Sequence, residues 1–259
     1  MAYRGENSKI VFDFDDPMGD STCVACGECV QACPTGALMP ASIVDKDGVG
    51  HSKVDKKIDS VCPYCGVGCQ IEYNVKDNKI KYVNGVDGPA NKNRLCVKGR
   101  FGFDYVNNPE RLTKPLIRIK DKPKDLHPSI NFSNIHEYFR EASWDEALDY
   151  AAQGFLKLKK QRNGKSNLAG FGSAKCSNEE AYLFQKLIRT GFNTNNVDHC
   201  TRLCHASSVA ALLETIGSGA VTAPFYEVEH SDVIIVIGAN PTENHPVAAT
   251  FFKNAAKKG

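Results

Sequence analysis

The sequence predicts an α/β chain that opens with two small cysteine-rich modules, and three observations predict it. Eight of its eleven cysteines form two groups of four, at 23–33 and 62–96. An alternating apolar run broken by a polar turn lies inside the second group. In the last third of the chain, short apolar runs and amphipathic helical runs follow one another in turn.

The 259 residues suffice for one large or two to three small domains with a real core. Apolar residues make up 42% and charged residues 24%, ordinary values for a globular protein. A net charge of +2 gives no reason to expect nucleic acid or an acidic membrane as a partner. No run of about 18 apolar residues exists, so no membrane span is expected. The N-terminus carries neither an apolar signal core nor a twin arginine, which predicts a cytoplasmic protein. In that compartment dense cysteine indicates metal more often than disulfide.

The first group reads CVACGECVQACP, with Cys23, Cys26, Cys29 and Cys33 followed by Pro34. This is C-x2-C-x2-C-x3-C-P, the bacterial ferredoxin spacing for a [4Fe–4S] cluster. Three thiolates on one tight loop can cap three corners of a cubane, and Gly27 lets the backbone bend around it. Pro34 turns the fourth cysteine away from its own loop. Residues 1–22 hold no partner triplet, so either Cys33 closes this cluster itself or the natural protein begins earlier, the reading preferred here.

The second group is Cys62, Cys65 and Cys69, with Cys96 separated by 26 residues, and its spacing differs from the ferredoxin run. Between its arms Ile71, Tyr73 and Val75 alternate, Lys76–Asn78 is polar, and Ile80 and Tyr82 follow. That pattern is a β-hairpin, which returns Cys96 to the triplet. By spacing alone zinc competes with an iron–sulfur cluster here.

Residues 112–141, with prolines at 115, 123 and 128, read as linker and surface loop. Ser143 then caps a helix, Glu146 completes a capping box, and Trp144, Leu148, Ala151 and Phe155 form its apolar stripe. Residues 167–174 read as a short buried strand, and a helix runs from about Asn178 to Gly191. A further helix covers Ser207–Thr215. Val233–Ile237 is a fully apolar strand that turns through Gly238, Ala239, Asn240 and Pro241 into a last helix. This alternation predicts a doubly wound parallel sheet. Ligands of such sheets sit beyond the carboxyl ends of the strands, so the 238–246 turn is either a nucleotide site or an ordinary corner. Cys204 and His205, in the segment DHCTRLCHASS, are too few for a zinc or cluster site. Left alone, they read as a packing accident, a nucleophile or a single-ligand metal site. Cys176 and Cys200 are expected to be buried bystanders.

The C-x2-C-x3-C-x26-C spacing followed by VKGR resembles the iron–sulfur domain of molybdopterin-guanine-dinucleotide oxidoreductases. The flanking VDGPANKNRLCVKGRFGFDYVNNPERLTKPLIR is most similar to the catalytic subunit of molybdenum- or tungsten-dependent formate dehydrogenases. The resemblance runs nearly end to end. It implies three modules: residues 1–50 as an N-terminally incomplete ferredoxin-type module, 51–113 as a small β-rich [4Fe–4S] domain, and 114–259 as the start of the molybdopterin-binding α/β domain.

The same resemblance assigns residues. Cys204 matches the cysteine or selenocysteine that ligates molybdenum or tungsten, and His205 the adjacent active-site histidine; nitrate-reducing relatives tend to have methionine there. Lys98 matches a lysine between cluster and pterin. Gly238, Asn240, Glu243, Asn244 and His245 match a cofactor-contacting loop, and Asn178 and Glu179 match a second one. The implied cofactors are [4Fe–4S] clusters and a molybdenum or tungsten bis-molybdopterin guanine dinucleotide. The implied reaction interconverts formate and CO2, and electrons pass to a partner subunit or carrier, such as an NAD-reducing diaphorase subunit. Two alternatives remain: a reductase of nitrate or another oxoanion, and a non-catalytic iron–sulfur electron-transfer subunit. The final helix stops where another parallel strand is due, so the chain alone is expected to be inactive.

Overall fold

The computed structural model of the chain describes residues 3–122, 124, 129–161 and 167–258. Pro123 and Pro128 of the expected linker lie outside the described residues. The chain divides into two compact units, one comprising Met1–Asn108 with Thr222–Gly259 and the other Pro109–Val221. Both mix short helices with small sheets. Among the described residues no helix is long and apolar enough to cross a membrane.

In the first unit, helix α1 (Glu28–Ala32) follows a loop carrying the first cysteines. Strands β1 (Lys56–Val61), β2 (Gln70–Lys76) and β3 (Lys79–Gly85) form one antiparallel sheet in that order. The expected hairpin forms between β2 and β3. Asp77 and Asn78 turn it with φ of 52° and 56°, and two such residues match the right-handed twist of the flanking strands. Helix α2 (Val97–Phe101) begins directly after Cys96, which occupies its N-cap.

The core of this unit holds Cys62, Val67, Cys69, Ile71, Val83 and Leu95, joined by Val247 and Ala248. Those last two residues come from the terminal helix, so a segment remote in sequence closes the core behind the cysteines. Apolar burial of this kind is the main stabilising term.

The second unit holds β4 (Leu116–Arg118) paired antiparallel with β5 (Phe139–Glu141), helix α3 (Trp144–Lys160), and β6 (Gly170–Gly172). Helix α4 (Asn178–Lys186) follows and continues into a π-helical turn over Leu187–Gly191. Strand β7 (Val197–His199) lies parallel to β6, and α5 (Thr201–Cys204) and α6 (Ala206–Ile216) complete the unit. The first unit resumes with α7 (Pro241–Asn244) and α8 (Pro246–Lys258).

Several expectations are corrected. The 112–141 stretch contains the β4–β5 pair, because an X-Pro step at Pro115 favours extended backbone as readily as loop. At α3 only half of the expected capping box forms: Ser143 Oγ accepts from the Glu146 N–H, while the Glu146 carboxylate pairs with Arg140. The complete box stands at α4, where Ser177 and Glu180 bond each other's backbone reciprocally.

Val233–Ile237 forms no strand, and Ile235 and Ile237 are 78% and 86% exposed. A central parallel strand needs neighbours on its edges and helices on its faces, and among the described residues none flanks this run. The apolar stripe of α3 is likewise uncovered at Trp144 and Leu148, although Phe155 stacks on Phe192 with ring centroids 4.8 Å apart. Cys176 and Cys200 are exposed rather than buried.

Candidate functional site

The four cysteines of the second group converge. Cys62 and Cys69 sit at the base of the β1–β2 connection, where the Cys62 N–H donates to the Cys69 carbonyl at 2.8 Å. Cys96 arrives at the N-cap of α2, and all four cysteines line one small cavity of about 80 Å³. Lys98, Gly99 and Asn244 share its wall, so residues from three separate stretches of sequence meet there. Burial, and then the neighbouring thiols of Cys62, Cys65 and Cys96, push the Cys69 thiol up to about 12.

A buried thiol crowded by three others, as Cys69 is, ionises as a ligand only with a cation beside it, and an iron–sulfur core supplies one. Among the described residues no three His, Cys, Asp or Glu side chains converge tightly enough for a single metal ion. A cubane carries its four irons at separate corners, so thiols spread around a cavity fit a cluster better than zinc.

The polar framework of this cavity centres on Asn91, which is fully buried. Its Oδ1 accepts from the Gln70 N–H at 3.0 Å, and its Nδ2 donates to the carbonyls of Gln70, Val86 and Arg94 at 3.1 to 3.2 Å. One side chain therefore ties the residue after Cys69 to the segment that delivers Cys96. Sequence reasoning passed over Asn91, since a single asparagine in a polar loop reads as a turn residue.

The first group lies on a loop and one helical turn. Ala25 and Gly27 have φ of 51° and 71°, which curls the backbone around the cysteines, and the Ala25 N–H points at Cys23 Sγ at 3.4 Å. Cys33 differs from its neighbours. The Thr35 hydroxyl, aided by the N–H groups of Leu38, Thr35 and Ala37, pulls its thiol down to about 7. Since the thiolate is the reactive form, alkylation of Cys33 in the metal-free protein is expected to be half-maximal near pH 7. A midpoint at about 8.5, the value for an ordinary thiol, would count against these hydrogen bonds; mass mapping of alkylated peptides over a pH series decides it.

In the second unit, Cys204 ends α5 and His205 links it to α6, and both are exposed. Asn178 and Glu179 occupy the exposed first turn of α4. None of these four lines the cavity of about 580 Å³ at the carboxyl ends of the parallel β6 and β7. Its wall instead includes Ser173, Cys176, Glu180, Arg189, Asp198 and His199.

His199 Nδ1 accepts the Thr201 N–H at 3.1 Å, which leaves Nε2 as the protonated nitrogen of the neutral ring. The Arg202 guanidinium, 3.0 Å from the Asp198 carboxylate, holds that carboxyl below its usual range. Asp198 and His199 open the same segment that holds Cys204, so their proximity in sequence was the available signal. In the first unit, Gly238 has φ of 64°, Asn240 and Glu243 are exposed, and His245 is half-buried between α7 and α8. Of this loop Asn244 and Pro246 reach the cysteine cavity.

The chain matches family models described as Molybdopterin oxidoreductase over residues 111–259, Molybdopterin oxidoreductase Fe4S4 domain over 55–108, and 4Fe-4S binding domain over 20–39. It is 36% identical to "Probable oxidoreductase YjgC" of Bacillus subtilis (strain 168), with 98% of the chain aligned to 28% of that protein. It is 34% identical to a "Putative formate dehydrogenase" of Staphylococcus aureus (strain MRSA252), with 97% of the chain aligned to 28% of that relative. A Staphylococcus haemolyticus protein of the same description is 35% identical, again over 98% of the chain and 28% of the relative. The chain thus spans 28% of the length of each of these relatives.

Proposed function

The chain belongs to the molybdopterin oxidoreductase family, whose cofactors are molybdopterin and [4Fe–4S] clusters, and from that premise we propose that it serves the interconversion of formate and CO2. The observation that carries this is the single cavity walled by Cys62, Cys65, Cys69, Cys96, Lys98 and Asn244. There the four cysteines meet Asn244 of the cofactor loop and the lysine expected between the two groups. The choice of formate rests on His205, directly after Cys204, and agrees with the printed names of the Staphylococcus relatives.

When bound, a molybdenum- or tungsten-pterin group would supply the acceptor for the two electrons that leave formate as it becomes CO2. Cys204 would hold the metal through its sulfur. His205 would take the proton released in the same step, an imidazole nitrogen serving as the base. The Lys98 ammonium, on the cavity wall, would donate to the pterin and favour electron passage toward the four-cysteine site. Gly238, Asn240, Glu243, Asn244 and His245 would hold the dinucleotide, as would Asn178 and Glu179 on their own loop. Cys23, Cys26, Cys29 and Cys33 hold the next cluster, from which single electrons reach a partner carrier. The segments 1–50, 51–113 and 114–259 divide these tasks between them.

Metal analysis and anaerobic dye assays of the whole protein test this. Iron together with molybdenum or tungsten, and dye reduction driven by formate, is the expected result. Oxidation of reduced dye by nitrate without turnover of formate would make the protein an oxoanion reductase. Iron alone, with neither activity, would leave an electron-transfer subunit.

A further inference from the structure

We propose that Arg100, paired with Glu28, couples the two cysteine groups for electron transfer, holding the Cys26 loop against the helix after Cys96 and setting the reduction potential of the cluster on Cys23, Cys26, Cys29 and Cys33. The proposal rests on the reading that each group of four cysteines holds a [4Fe–4S] cluster.

Arg100 is 3% exposed, and arginine is rarely buried to this degree unless its charge is paired. Its bonds lead to both groups. The Arg100 backbone N–H donates to the Cys96 carbonyl at 3.1 Å, and its Nε donates to the Cys26 carbonyl at 2.8 Å. A bonded path therefore runs from one ligand residue, along the arginine, to a ligand residue of the other group.

The rest of the guanidinium is equally occupied. Nη2 meets Glu28 Oε1 at 2.6 Å, and Nη1 donates to Gln31 Oε1 at 2.7 Å and to the Val83 carbonyl at 3.3 Å. Glu28 Oε1 also accepts the Leu95 N–H at 2.9 Å, one residue before Cys96. Gln31 bonds both the N–H and the carbonyl of Gly85, at 2.9 and 3.0 Å.

Gly27 supplies an independent sign that this approach is specified. A Cβ at that position would lie 2.1 Å from Arg100 Cδ and 2.9 Å from Phe101 Cζ. The loop between Cys26 and Cys29 thus closes on Arg100 only because residue 27 has no side chain. The Glu28 side chain is 41% exposed, and an ion pair open to water on one side contributes little net stability, so stability alone is a weak reason for one at this seam.

The electron step is simple. The reduced cluster of Cys62, Cys65, Cys69 and Cys96 loses one electron and the oxidised cluster of the first group gains it, with no bond made or broken and no proton moved. A cation beside the acceptor favours its reduced form and an anion disfavours it. Arg100 and Glu28 therefore act on the potential with opposite signs.

Redox titration of the whole, cluster-loaded protein, followed by electron paramagnetic resonance, reads this without turnover. Arg100→Gln is expected to lower the midpoint of the first cluster and Glu28→Gln to raise it. Each shift should approach a tenfold change in the reduction equilibrium, about 59 mV for one electron. Arg100→Lys keeps the charge and should hold the midpoint near that of the unsubstituted protein. Because it loses the bond to Cys26, it should also weaken the spin coupling between the two reduced clusters.

Midpoints that move in the same direction in both charge variants, or in neither, with full iron content, would overturn the proposal. If Arg100→Gln fails to fold, Glu28→Gln and Arg100→Lys still decide: an unmoved midpoint in the first, or unchanged coupling in the second, overturns it. The cluster reading fails separately, through iron for fewer than two clusters in the unsubstituted protein.

Discussion

Replacing Cys204 by serine in the whole, cofactor-loaded protein is expected to lower formate-dependent dye reduction at least about 100-fold while leaving the iron content unchanged. The magnitude follows from the chemistry of ligation. Groups that merely orient a metal ligand already cost about 10–100-fold when removed, and Cys204 is proposed as the ligand itself. A serine hydroxyl is a harder donor that stays protonated at neutral pH, so it cannot replace a soft thiolate. The exposed position of Cys204 at the end of α5 suits a ligand that must reach a group outside its own helix.

Cys200, also exposed, is the internal control. It stands exposed at the N-cap of α5 and its side chain makes no capping bond, so Cys200→Ser should keep activity within about twofold. If Cys204→Ser retains more than a tenth of the activity, the ligand assignment fails. If Cys200→Ser is the variant that loses activity, the ligand is Cys200.

Asn91→Ala is expected to destabilise the first unit by about 2–6 kcal/mol and to strip iron from the Cys62–Cys96 site. The estimate counts only groups left without their partner. The carbonyls of Gln70 and Val86 keep other donors: the Val86 N–H for the first, the Gly88 and Asn93 N–H groups for the second. The Gln70 N–H and the Arg94 carbonyl lose their bonds to Asn91, whose own side chain is fully buried. Each buried polar group left unpaired costs about 1–3 kcal/mol. Chemical denaturation at fixed pH measures the total. A loss below about 1 kcal/mol would mean that the Cys96 segment is held mainly by apolar packing around Leu95.

By itself the sequence determined what is local in this protein. The cysteine spacings announce iron–sulfur chemistry because a cubane needs thiolates at short, defined separations along the chain. The hairpin of β2 and β3 is legible because side chains alternate with period two and Asp-Asn tolerates the left-handed turn. The helix start at Ser143 is legible because a cap bonds a backbone only three residues away.

The tertiary structure alone decided what depends on partners distant in sequence. Glu146 had two possible partners, its own N-cap and Arg140, and the fold placed Arg140 closer. Val247 and Ala248 close the core behind Cys62 and Cys69, a pairing that no local period announces. Val233–Ile237 is apolar enough for a central strand, yet hydrophobicity states only a demand for burial and does not name what meets it. Arg100 and Asn91 read as surface residues in the sequence because their type is ordinarily solvated. They became buried connectors only once folding brought backbone carbonyls and carboxylates around them, so that their hydrogen bonds replaced those to water.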